Sequence, residues 1–131
     1  MEQESLEGLK ILVVDDEKDI GEILVDALNI LGAECMGTHN GEDAFSIYQQ
    51  TEDLDVIITD LRMPKMDGKE LTQKIRSGGD TIPIICMSGY SVYEEEEAYG
   101  WGASAFLSKP ANMNKILSTI KELTKNKKKA H

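Results

Sequence analysis

Three carboxylates, a hydroxyl and an ammonium in this chain could act together on a phosphoryl group: Asp15, Asp16, Asp60, Ser88 and Lys109. Carboxylates crowded in a shallow site repel one another, and the usual remedy is a hard cation with oxygen ligands. Magnesium takes one or two carboxylates, with waters and phosphate oxygens completing its shell. A carboxylate held beside such a cation can attack phosphorus, while the cation and an ammonium neutralise the oxygens of the group in transfer. Lys109 is the candidate ammonium. Singly, each residue also suits a plainer role: Asp15 and Asp16 as acidic residues at a helix start, Asp60 as a turn former before Pro64, Ser88 as a turn residue beside Gly89, Lys109 as a surface charge.

What joins them is their position relative to the elements. Lys10 to Val14 is a short aliphatic run ending in Asp15-Asp16, which suits a buried strand with a polar end. Ile20, Ile23, Leu24, Ala27, Leu28 and Leu31 then recur at helical spacing, and Gly32 closes that helix. Ala33–Gly37 reads as a strand, Glu42–Gln50 as a helix, and Asp55–Thr59 as an aliphatic strand running into Asp60. A loop with Met63-Pro64 and Asp67-Gly68 leads to a helix over Lys69–Arg76, and Ile82–Met87 is a strand running into Ser88. Val92–Ala98 reads as a weakly anchored helix, because Glu94 to Glu97 supply little apolar surface; Trp101 is expected in the loop that follows. Ser104–Leu107 is a last strand, and Met113, Ile116, Leu117, Ile120 and Leu123 line a last helix after Lys109-Pro110.

Strict alternation of aliphatic strands and helices implies a doubly wound α/β fold, a parallel sheet covered on both faces. In such folds function gathers beyond the carboxyl ends of the strands, where the five chemistry-bearing residues fall.

The 131 residues suit one domain. No apolar run has the roughly 18 residues of a transmembrane helix, and Met1-Glu2-Gln3-Glu4 is acidic where a signal peptide would be basic, so a cytoplasmic protein with no membrane partner is expected. A formal charge of −10 disfavours direct nucleic-acid contact. Lys125, Lys127, Lys128 and Lys129 crowd the C-terminus as a solvated tail or the start of a linker. Cys35 and Cys86 form no CxxC pair and read as reduced structural thiols.

The runs Val13-Val14-Asp15-Asp16-Glu17, Asp60-Leu61-Arg62-Met63-Pro64-Lys65-Met66-Asp67-Gly68, Met87-Ser88-Gly89 and Lys109-Pro110 resemble the motif set of response-regulator receiver domains. The resemblance spans residues 9–124 as a receiver domain, with 1–8 as an N-terminal extension and 125–131 as a basic tail. It implies a flavodoxin-like three-layer sandwich of five parallel strands in the order 2-1-3-4-5 with five helices. It also implies that Asp60 is the phosphoacceptor and that magnesium or manganese is held by Asp16, Asp60 and the main-chain oxygen of Arg62, with Asp15 reaching the metal through water. Lys109 would pair with phosphoryl oxygens, Ser88 would hydrogen-bond the phosphoryl group, and Phe106 stands where the family has an aromatic that turns inward on activation. The Lys109-Pro110 bond matches one that is often cis. Arg62 and Tyr90 occupy flanking positions that influence how long the phosphoryl group survives. Because Phe106 lacks the phenolic hydroxyl of a tyrosine, its readout would be steric or indirect.

The implied function is that of a two-component or phosphorelay receiver. A histidine kinase or phosphotransfer protein would be the donor, and a downstream protein target would be reached through the surface of the weak helix, the last strand and the last helix. As a monomer or a weak dimer on phosphorylation, it would catalyse only its own phosphorylation and dephosphorylation. Met1 favours a native start, and residues 125–131 are too few for a folded DNA-binding output module; a stand-alone regulator and a receiver from a longer protein both remain open. The alternative is a magnesium-dependent aspartate-nucleophile phosphatase, which would want a second acid two positions after its nucleophile, where this chain has Arg62. A flavin carrier would want Ser, Thr and Gly where this chain has Asp15-Asp16-Glu17-Lys18-Asp19.

Overall fold

The computed structural model describes residues 5–89 and 92–129, of which 92, 93 and 126–129 are described by backbone alone. Strands and helices alternate along the chain: β1 (Lys10–Val14), α1 (Lys18–Ile30), β2 (Glu34–Thr38), α2 (Gly41–Gln50), β3 (Val56–Asp60), α3 (Gly68–Ser77), β4 (Ile84–Ser88), α4 (Val92–Trp101), β5 (Ala105–Ser108) and α5 (Met113–Lys129). The strands form one parallel sheet in the order β2-β1-β3-β4-β5.

β3 and β4 are buried at every position, as strands covered on both faces must be, and their side chains alternate between two cores. Val13, Ile58, Ile85, Met87 and Leu107 pack with Leu24 and Leu28 of α1 and Ile116 and Ile120 of α5. Leu12, Val14, Ile57, Ile84 and Cys86 pack on the other face with Ala44 of α2, Leu71 and Ile75 of α3 and Ala98 of α4. The result is the three-layer sandwich. β4 begins only after Pro83, whose nitrogen has no proton for the ladder although its carbonyl accepts from Ile57 N at 3.0 Å. β2 to β5 lie one or two residues later than the hydrophobic runs suggest, so Asp60 and Ser88 are the last residues of their strands.

Three readings of the apolar pattern are corrected. α1 buries only part of the stripe that begins at Ile20: Leu24 and Leu28 are buried and Ala27 and Leu31 half-buried, but Ile20 and Ile23 are 46% and 69% exposed and Gly21 faces inward in their place. Gly21 lies against Asp15, where an added Cβ would stand 3.2 Å from the Asp15 Cβ, so the helix packs through Gly21, Leu24 and Leu28. Trp101 is the last residue of α4 rather than a loop residue. α5 continues to Lys129, beyond the apolar spacing that ends at Leu123. Leu6, ahead of the first strand, is fully buried and donates its N–H to Leu31 O at 2.9 Å.

Glycine lets two helix starts approach other backbone closely, α3 at the end of β3 and α2 at the loop before α3. A Cβ on Gly68 would lie 2.3 Å from the Asp60 carbonyl oxygen, and one on Gly41 would lie 2.1 Å from that of Met66. Asp67 caps α3 in a reciprocal box with Glu70, so the loop after Asp60 ends in a firmly held helix.

Candidate functional site

Side-chain parity places the chemistry. Asp15 is two residues beyond Val13, Asp60 two beyond Ile58, and Lys109 two beyond Leu107, so all three extend from the same face of the sheet at its carboxyl edge. Ligand oxygens of Asp15, Asp16 and Asp60 lie within 4.8 Å of one another; Asp15 and Asp60 are buried and Asp16 is exposed. Lys109 Nζ stands 2.9 Å from Asp60 Oδ1, 3.7 Å from Asp15 Oδ2 and 3.9 Å from Glu17 Oε1.

Asp15 Oδ1 accepts from Glu17 N at 2.9 Å. Asp15 Oδ2 and Asp60 Oδ1 are buried and receive no well-aligned hydrogen bond from the described residues, although the ammonium is near both. Burial and the neighbouring Asp15 push the Asp60 carboxyl up from 3.8 to about 7, against the pull of Lys109. Burial disfavours the Lys109 charge, but Asp60, Asp15 and Glu17 outweigh it and hold the ammonium above its ordinary range. Buried, converging oxygens that lack donors fit a hard divalent cation, and Asp15, Asp16 and Asp60 are the residues that could hold one.

Ser88 lies on the opposite parity, two residues beyond Cys86, and so meets α4. Its hydroxyl donates to Glu94 Oε1, while Glu94 Oε2 receives Arg62 Nη2 at 2.9 Å. Phe106, paired with Cys86 across the ladder, is half-buried against the same core. The Lys109-Pro110 bond is cis. Tyr90 lies outside the described residues.

The structure therefore brings Asp15, Asp16, Asp60 and Lys109 together, with Ser88 and Arg62 at or just past neighbouring strand ends and Phe106 within β5. Glu94 escaped the sequence reading, which took Glu94 to Glu97 only as residues that supply little apolar surface and leave the helix weakly anchored. Glu17 beside Lys109 escaped too, as did His39, whose Nδ1 lies 3.1 Å from the Asp15 carbonyl oxygen. The one available signal for Glu94 was opposite charge to Arg62, and pairing residues 32 apart in sequence needs the fold.

The family model of the response regulator receiver domain matches residues 11–121. The sensor histidine kinase RcsC of Escherichia coli is 35% identical over 115 residues, covering 87% of this chain and 12% of that protein. The response regulator MprA of Mycobacterium avium is 31% identical over 121 residues, covering 92% of this chain and 53% of that protein. The chain thus spans between about an eighth and a half of the length of these relatives. The receiver domain of a Francisella response regulator superposes with a TM-score of 0.86 at 26% identity, covering 92% of this chain and 99% of that one. Vibrio cholerae chemotaxis protein CheY4 superposes with a TM-score of 0.81 at 30% identity, covering 88% and 98%.

Proposed function

The chain belongs to the response regulator receiver domain family, and from that premise we propose that Asp60 accepts a phosphoryl group from a phosphohistidine donor and that Ser88 and Phe106 carry the change to a protein-binding surface. The observation that carries the reading is the convergence of Asp15, Asp16 and Asp60 within 4.8 Å, with Lys109 at 2.9 Å from Asp60.

In the transfer, the phosphorus–nitrogen bond of the donor breaks, an Asp60 oxygen bonds to phosphorus, and the imidazole leaves with the electron pair. Asp60 attacks as the carboxylate. Lys109 supplies positive charge beside the phosphoryl oxygens, and its neighbours Asp15 and Glu17 keep it protonated. Magnesium or manganese, held by Asp16, Asp60 and the main-chain oxygen of Arg62, with Asp15 through water, would add charge neutralisation when bound. Ser88 then donates its hydroxyl proton to a phosphoryl oxygen, leaving room that Phe106 fills, and the surface of α4, β5 and α5 changes.

The donor is a histidine kinase or a phosphotransfer protein, and the output is contact with a downstream protein as a monomer or weak dimer. The domain turns over no separate substrate. Where an aspartate-nucleophile phosphatase needs its general acid, Arg62 stands paired with Glu94.

Intact-protein mass spectrometry after treatment with acetyl phosphate and magnesium tests the reading. One phosphoryl addition is expected in the parent and none in Asp60→Asn. Retained addition in that variant, or none in the parent, overturns it.

A further inference from the structure

The Glu94 carboxylate faces two groups that a phosphoryl group on Asp60 would also attract. It lies in the first turn of α4, its side chain is 15% exposed, and its two oxygens are divided between the Ser88 hydroxyl and the Arg62 guanidinium. We propose that Glu94 is a positioning residue that holds the Ser88 hydroxyl and the Arg62 guanidinium on α4 until a phosphoryl group at Asp60 competes them away. This inference rests on the reading of Asp60 as the phosphoacceptor.

A hydroxyl has a single proton to donate. Ser88 therefore cannot donate to Glu94 and to a phosphoryl oxygen at once, and every conformer that serves one acceptor gives up the other. The bond to Glu94 is charge-assisted, so leaving it costs more than leaving an ordinary hydrogen bond. A phosphoryl group brings up to two negative charges to the strand end, which attract both donors and repel the carboxylate. By linkage, whatever Glu94 contributes to holding Ser88 is subtracted from the affinity for the phosphoryl group.

The position of Glu94 also explains how the exchange reaches α4. Among the described side chains of this helix only Ala98 is fully buried, so its packing on the sheet is slight. The paired contacts of Glu94 tie the first turn to the ends of β3 and β4, and releasing them frees that turn to shift.

The experiment is titration of the full chain with fluoroberyllate, a phosphoryl mimic, in saturating magnesium, followed by calorimetry. Glu94→Ala is expected to bind it about tenfold more tightly than the parent, the scale of one charge-assisted hydrogen bond. Magnesium alone should bind both proteins within about twofold, which a general disturbance of the site would not leave intact. In a Ser88→Ala background the gain from Glu94→Ala should fall to about threefold or less. Glu94→Gln, which keeps the side-chain volume, should gain affinity less than Glu94→Ala and decides the question should the alanine variant not fold. Unchanged or weaker binding in both Glu94 variants, with tight binding in the parent that Asp60→Asn abolishes, overturns the role of Glu94 alone. No fluoroberyllate binding by the parent overturns the phosphoacceptor reading and this inference with it.

Discussion

Removing the Asp60 charge should stabilise the metal-free protein at neutral and alkaline pH. The carboxyl is held at about 7 in the folded state, against 3.8 ordinarily, because it is buried and because Asp15 adjoins it. A raised folded-state value favours the protonated form, so the contribution of Asp60 to stability is fully present below about pH 4 and is lost as pH rises through about 7. The full displacement corresponds to about 4 kcal/mol. That value already contains the pull of Lys109; because solvent screens part of the effect and an amide replaces a neutral carboxyl imperfectly, Asp60→Asn should gain about 1–3 kcal/mol, or about 3–10 °C in Tm for a domain of this size. The assay is thermal unfolding by circular dichroism in a chelator, at pH 8 and pH 5. The variant should melt higher than the parent at pH 8, and at pH 5 the gap should shrink to roughly 40% of that, because there the folded parent's Asp60 is protonated but the unfolded chain's is largely ionised. Magnesium at a hundredfold excess over its Kd should raise the parent by about 2.7 kcal/mol. Equal melting at pH 8, the same gap at both pH values, or a parent indifferent to millimolar magnesium would refute the reasoning.

Asp15→Asn should also melt above the parent without metal, since it removes a neighbouring charge and keeps the oxygen that accepts from Glu17 N. Gly68→Ala should lose at least about 2 kcal/mol in urea unfolding, because the new Cβ would lie 2.3 Å from the Asp60 carbonyl oxygen; an unchanged midpoint would show that α3 retreats at no cost. Ile23→Ser, at a position 69% exposed, should stay within about 0.5 kcal/mol of the parent, whereas Leu28→Ala should lose about 2–5 kcal/mol; similar losses would place Ile23 in the core beside Leu28. Cys35 and Cys86 are free, buried and three strand positions apart, about 14 Å at strand spacing, so thiol titration of the folded monomer under oxidising conditions should find no disulfide. Ser88→Ala should still accept the phosphoryl group, yet its Trp101 fluorescence should change much less than the parent's.

The sheet and its carboxyl-edge residues were legible because both rest on short-range rules. Aliphatic runs such as Ile57-Ile58 and Ile84-Ile85 mark doubly covered strands, and a polar residue just past such a run must lie at the strand end. The facing of α1 was legible only in part: Leu24 and Leu28 pack as the stripe implies, whereas Ile20 and Ile23 do not. Gly21 carries no hydrophobic signal, yet it sits on the packed face close against Asp15, while the larger, exposed Ile20 and Ile23 misdirect a count of apolar residues. The partner of Ser88 was hidden for a different reason. Four consecutive glutamates look equivalent in sequence, and only the placement of α4 over the end of β4 selects Glu94 among them.

The pleat then separates two tasks that the motif set presents as one. Residues of one parity, Asp15, Asp60 and Lys109, gather charge on the side of α1 and α5, whereas Ser88, of the other parity, is turned to α4 and Glu94. A charge gained at Asp60 is therefore felt by Ser88 from across the strand ends rather than from within its own core. The helix best placed to respond is the one whose described packing on the sheet is slight and whose first turn is tied by polar contacts. Had Ser88 shared the parity of Asp60, its hydroxyl would face α1 and α5, whose buried leucines and isoleucines resist displacement. The strand register that puts Ser88 on the α4 side is thus itself a determinant of which surface can be switched.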